Sequence, residues 1–184
     1  MTIEEIFKEI SAHMVEGLML HTQMTDYYDF LCLHGYKRCH EYHARREMQA
    51  LRKLNGYFIN YCNKLVEGKS ANSPNVIPET WFKHVRQDVD PGTKRAAVKT
   101  ALEKWIAWEK NTKELYASRV KELFSMGEVS AANELNHYLG DVACELNRAE
   151  RKYLELMAVD FSIDYIMDEQ NNIHDFYKKQ MKAA

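Results

Sequence analysis

The sequence predicts an all-α protein: a four-helix bundle of two antiparallel hairpins joined by one long crossover, followed by a C-terminal helix. Three observations carry this reading. Apolar residues recur at helical spacing through four long stretches. All three prolines, Pro74, Pro78 and Pro91, fall between the second and third stretches. The joints inside each pair of stretches are short and carry a glycine, Gly35 and Gly127, which makes antiparallel neighbours.

The first helix is expected over residues 2–33. Thr2 can cap it, with Glu5 three residues on completing a capping box. Its stripe runs through Ile3, Ile6, Ile10, Met14, Gly17, Leu20/His21, Met24, Tyr28 and Leu31. Gly35 permits the tight turn into the second helix, residues 36–66, whose apolar positions are Tyr36, Ala50/Leu51, Leu54, Phe58, Tyr61/Cys62 and Leu65. Residues 68–91 hold the prolines and exclude a long helix. Within them Pro78–Val85 is expected to form a short helix, with Pro78 in its first turn. A segment of this length can cross the whole bundle, so the second and third helices can run parallel.

The third helix, residues 92–125, carries Ala97, Ala101/Leu102, Trp105, Trp108, Thr112, Leu115/Tyr116, Val120 and Leu123/Phe124, and ends at Met126-Gly127. The fourth, residues 128–160, carries Ala132, Leu135, Leu139, Val142/Ala143, Leu146, Ala149, Tyr153 and Met157. From Phe161 on, Ile163, Ile166, Ile173 and Phe176/Tyr177 keep helical spacing. Gln170-Asn171-Asn172 is the weak point of that last helix. The expected organisation is a bundle over 1–160 and a helix over 161–184 packed on it or extending from it.

Bulk properties narrow the function. A chain of 184 residues is most simply one domain. Its net charge of −2 supplies no field to draw in nucleic acid or an anionic membrane. The opening M-T-I-E-E-I-F-K has no basic segment leading into an apolar run, and no later stretch is apolar enough to span a bilayer. The expected location is the cytoplasm, and neither membrane nor nucleic acid is an expected partner. Cys32, Cys39, Cys62 and Cys144 lie in helical patterns without C-x-x-C spacing, and are expected to be reduced packing residues. There is no phosphate-binding glycine loop, no Ser/His/Asp set and no nucleophilic cysteine motif. Arg45-Arg46 is too short a basic run for a nucleic-acid face.

One conflict between pattern and chemistry stands out. Extending the stripe of the second helix towards its N-terminus places His40, His43 and Glu47 where core side chains belong. His43 and Glu47, at i,i+4, share a face, and His40 lies one turn earlier, so two imidazoles and a carboxylate can converge on a metal ion. The alternative is a buried hydrogen-bonded cluster with Arg45, Arg46 or tyrosines at a subunit contact. Glu134-x-x-His137 has di-iron spacing, but the stripe of the fourth helix puts it, together with Glu145, on the outer face. Glu16 and Glu109 border their stripes and become ligands of an intra-subunit site if they turn inward. His13 and His21, on the apolar face of the first helix, are expected to be satisfied core or interface histidines.

Two hairpins with one long crossover is the ferritin-like arrangement. Within it, Gly35-Tyr-Lys-Arg-Cys-His-Glu-Tyr-His43 and the turn region over residues 125–139 resemble the corresponding segments of the Dps-type mini-ferritins. The likeness covers about residues 10–160. It implies a ferroxidase centre in which His43 and Glu47 match the family's second-helix histidine and its i+4 acid, with His40 as a second imidazole. The first-helix position falls on Asp29 or Phe30, depending on a one-residue shift, and of these only Asp29 could serve as a ligand. At the spacing of the family's acidic pair stand Phe58 and Cys62, which supply no hard oxygen ligand. The implied site is therefore degenerate. The family's basic DNA-binding tail has no counterpart, so DNA binding is not carried over.

Two functional readings follow. The first is a homo-oligomeric metal-handling protein that oxidises or sequesters iron around His40, His43, Glu47 and Asp29. The second is a non-catalytic oligomeric scaffold or partner-binding bundle that has lost the site. A small-molecule pocket inside the bundle is a third possibility that no sequence feature singles out.

Overall fold

The computed structural model describes residues 1–64 and 89–183. These form α1 (Ile3–Phe30), α2 (His34–Cys62), α3 (Pro91–Ser125), α4 (Val129–Ala158) and α5 (Ile163–Ala183). The short helix expected at 78–85 lies outside the described residues.

Local chemistry sets the helix ends. The Thr2 capping box forms: the Glu5 N–H donates to Thr2 Oγ1 at 3.2 Å and the Thr2 N–H to Glu5 Oε2 at 2.8 Å. Asp90 caps α3, accepting from the Thr93 N–H at 2.6 Å, with Pro91 in the first turn. Gly127 ends α3 in the left-handed region, at φ +79°, and the Glu128 N–H returns to the Leu123 carbonyl at 2.9 Å.

The α1–α2 turn differs from expectation. Cys32, not Gly35, takes the left-handed conformation, at φ +58°, and the Leu33 N–H closes the turn on the Tyr28 carbonyl at 2.9 Å. Gly35 sits inside the first turn of α2, where α5 crosses it. A Cβ there would lie 2.0 Å from the Gln170 carbonyl oxygen and 2.7 Å from its Cα. The glycine is required by backbone approach between helices rather than by a turn. Gln170-Asn171-Asn172, the expected weak point, stays helical, and Gln170 is the residue whose backbone meets Gly35.

The start of α1, the end of α2, the end of α3 and the start of α4 share one apolar core, built from residues such as Ile6, Phe58, Leu123 and Ala131. The opposite helix ends share another, with Tyr28, Tyr36, Val98 and Leu156. Thus α1/α2 and α3/α4 are antiparallel hairpins, and α2 runs parallel to α3. The C-terminal helix packs on the bundle along α2, with the Tyr177 ring 5.3 Å from that of Tyr42. The Tyr36 hydroxyl donates to Glu169 at 3.3 Å.

The two cores do not merge. On α1 the polar step falls near Gly17 and His21, on α2 at His40, His43 and Glu47, on α3 at Glu109 and Thr112, and on α4 at Glu145. A layer of ionisable groups therefore crosses the middle of the bundle, walled off by hydrocarbon above and below.

Candidate metal centre

Each of the four long helices contributes to this layer. His21, His40, His43, Glu109 and Glu145 are all buried. Glu47 is half-buried and lies under Gly17, where a Cβ would come within 3.5 Å of its carboxyl carbon. The missing side chain leaves space beside that carboxylate. Among the described residues, His21, His43 and Glu145 form a group whose potential ligand atoms lie within 4.8 Å of one another.

The contacts decide roles within the layer. His43 Nδ1 is 3.2 Å from Glu145 Oε2, without the alignment of a hydrogen bond. The other Glu145 oxygen accepts from Arg46 at 2.8 Å, and Arg46 also reaches Asp141 at 3.1 Å. Glu109 accepts from the Trp105 indole N–H at 2.9 Å. His21 and His40 face each other through their Nδ1 atoms at 2.9 Å. One of the two must donate and the other accept. If His21 donates, its Nε2 carries a free lone pair; if His40 donates, that Nε2 carries the proton. His21 Nε2 and His43 Nε2 are buried without a hydrogen-bond partner, a costly state for a polar nitrogen.

Charge crowding completes the picture. Burial first, and then the charge of Glu145, raise the Glu47 carboxyl to about 7. The same two causes, in the same order, raise Glu109 well above the carboxylate range. Within the His43–Glu145 pair, burial works against both charges. Attraction prevails, holding the imidazole protonated and the carboxylate ionised. His21 is held neutral by burial, with the charge of His43 as a second cause, and falls to about 3. Burial likewise keeps His40 neutral, helped by His21 and His43.

Of the sequence-expected ligands, His43 and Glu47 lie in the layer. His40 lies there too, but its Nδ1 is turned to His21. Asp29 does not join them: it is half-buried near the end of α1 and pairs with Lys37 at 2.9 Å. Glu109 turns inward as the border reading allowed, while Glu16 stays half-exposed beside His13 at 3.9 Å. His137 is exposed and Glu134 accepts from the Tyr138 hydroxyl, at 3.3 Å. That motif lies outside the layer.

Glu145 corrects the sequence reading, which had placed it on the outer face. The buried face of α4 follows two seven-residue rows, Ala131-Tyr138-Glu145 and Leu135-Val142-Ala149-Leu156. Met157, expected inside, is exposed. Tyr138, seven residues before Glu145, carried the missed signal. His21 was seen on the apolar face but given a packing role, which its unpartnered Nε2 does not fit. His13 does fit that role: it stacks on Trp108 at 4.4 Å between ring centres. Its Nε2 lies 2.8 Å from the Thr112 hydroxyl, which itself donates to the Trp108 carbonyl at 2.9 Å.

Helices paired in this order, with α2 parallel to α3 and a polar layer at mid-height, define a ferritin-like fold. Comparison with solved structures agrees. An engineered closed form of the ferritin of Archaeoglobus fulgidus superposes with a TM-score of 0.77 at 14% identity, covering 95% of this chain and 96% of that one. An open-pore ferritin from the same archaeon gives a TM-score of 0.76 at 14% identity over 92% and 93% of the two chains. A humanized archaeal ferritin gives 0.77 at 14% over 93% and 94%. No family model matches the sequence, and the search of curated proteins finds no match. These neighbours establish the fold, and they do not address the closer Dps-type kinship.

Proposed function

We propose that the mid-bundle layer is a metal site and that the protein handles iron, taking up Fe(II) as its substrate for oxidation or sequestration. The observation that carries this is the joint burial of two carboxylates, Glu109 and Glu145, with His21 and His43, and with the half-buried Glu47 beside them, in a layer between two apolar cores. Mixed oxygen and imidazole donors from several helices are what iron in a bundle takes. The donors fit a cation on two grounds: the unpartnered Nε2 atoms of His21 and His43, and the carboxylate repulsion that a cation would relieve. The ferritin identity of the structural neighbours supports the same reading.

In this reading His21, His43 and Glu145 bind the ion, with Glu47 and Glu109 as further oxygen donors. His40 is a positioning residue. By accepting from His21 Nδ1–H it leaves the Nε2 lone pair for the ion, the usual logic of a histidine's second nitrogen. Each Fe(II) oxidised gives one electron to dioxygen or peroxide, and the carboxylates favour the more highly charged product. Uptake displaces protons from His43 and the raised carboxyls.

Aerobic Fe(II) titration, read by ferric absorbance and by elemental analysis after desalting, tests the proposal. Accelerated oxidation with retained iron is expected, and both should be reduced at least tenfold in a His21→Ala/Glu109→Gln double variant. Oxidation at the uncatalysed rate with no retained metal would overturn it.

A metal-free scaffold is the second reading, and Phe58 favours it. This residue, at a position where the Dps-type resemblance implies an acid, is buried in the core it shares with Ile6 and Leu123, 5.2 Å from the Phe7 ring. In either reading the chain is proposed to self-associate. Exposed apolar side chains support this: Phe124, Met126 and Val129 around the α3–α4 turn, and Leu154 and Met157 on α4.

A further inference from the structure

The C-terminal helix does not lie flush on the bundle. Between α5 and helices α2, α3 and α4 is a cavity of about 590 Å³, within the range of small-molecule sites, roughly 300–1,000 Å³. Tyr36, Trp105, Phe176 and Tyr177 put aromatic rings on its wall, beside Leu102 and Ile173. His40 also lines it, beside the polar layer.

The charges on its wall are unevenly spent. Lys152 is held between Glu155 and Glu169, and Arg151 reaches Glu155 at 3.6 Å. Asp168 stands exposed at the rim. Arg148, half-buried on α4, has no carboxylate partner among the described residues, and the phenol it influences is that of Tyr177. The lining thus holds three cations against two carboxylates, with the surplus on Arg148.

We propose that this cavity binds a small aromatic carboxylate, with its ring among Trp105, Tyr36 and Tyr177 and its carboxylate on the Arg148 guanidinium. A planar guanidinium grips a carboxylate through two parallel hydrogen bonds, and burial strengthens that pairing. Aromatic walls favour a flat ring over a flexible chain through stacking and edge contacts. The site requires no metal, so it stands or falls separately from the iron reading.

Calorimetric titration of the chelator-treated full chain tests it, with 2-naphthoate as probe and 2-naphthylmethanol as its neutral counterpart. Saturable binding of one naphthoate per chain is expected, with the alcohol weaker by about tenfold or more. Arg148→Gln should erase that preference while leaving alcohol binding and iron content unchanged. Ile173→Trp, which fills the cavity from α5, should abolish binding of both. Absence of binding, equal affinity for acid and alcohol, or a preference that survives Arg148→Gln would each overturn the proposal. The wild-type comparison of acid with alcohol decides the matter if a variant fails to fold.

Discussion

His13 shows how burial becomes a pH dependence. Desolvation lowers its imidazole to about 4, so as the pH falls the unfolded chain takes up a proton near the usual value of about 6.5 before the folded one does. Its contribution to stability is therefore whole above that value and is lost between about pH 6.5 and 4, by up to about 3 kcal/mol. Urea midpoints measured across that window should fall, and His13→Gln, which can still donate to Thr112, should flatten the slope. Glu109 gives a prediction of opposite sign. Glu109→Gln keeps a group that can accept from Trp105 and removes a carboxyl whose ionisation is opposed by burial and then by Glu145, so folding no longer has to draw a proton onto it. The metal-free variant should gain about 1 kcal/mol in chemical denaturation near neutral pH while losing metal affinity. Glu145 marks the limit of sequence reading at this scale. The phase of the stripe through Leu135, Leu139, Val142 and Leu146 assigned it outward, and only its spacing from Tyr138 could have placed it inside.

At the scale of elements, the four long helices and the fifth were legible from apolar spacing, with observed ends within a few residues of expectation. What the pattern could not supply was contact between elements distant in the chain. Gly35 next to a turn reads as a turn residue, and nothing nearby shows that Gln170 will press on it. Gly35→Ala should push α5 away from α2, at a cost of about 1–3 kcal/mol for overpacking against backbone. Faster amide exchange in α5 than in α3 would report this. Cys32 offers the converse case. Its left-handed conformation strains a non-glycine residue, so Cys32→Gly should stabilise the α1–α2 turn by about 1 kcal/mol in thermal melts.

The whole molecule is organised by the layer that splits its core. Two apolar halves would pack more simply as one, and the buried carboxylates and imidazoles resist burial. That opposition was half-legible in the sequence: His40, His43 and Glu47 were visible as polar residues on a core face. Their partners His21, Glu109 and Glu145 come from other helices, and register between helices is fixed by packing. The descent of the layer through all four helices at one height points to a common occupant. Anomalous diffraction at the iron edge, from crystals grown anaerobically with Fe(II), tests this most directly. The account predicts a peak bounded by His21 Nε2, His43 and Glu145, within bonding distance of each. A protein that takes up no iron there, or holds it only on its surface, would contradict it.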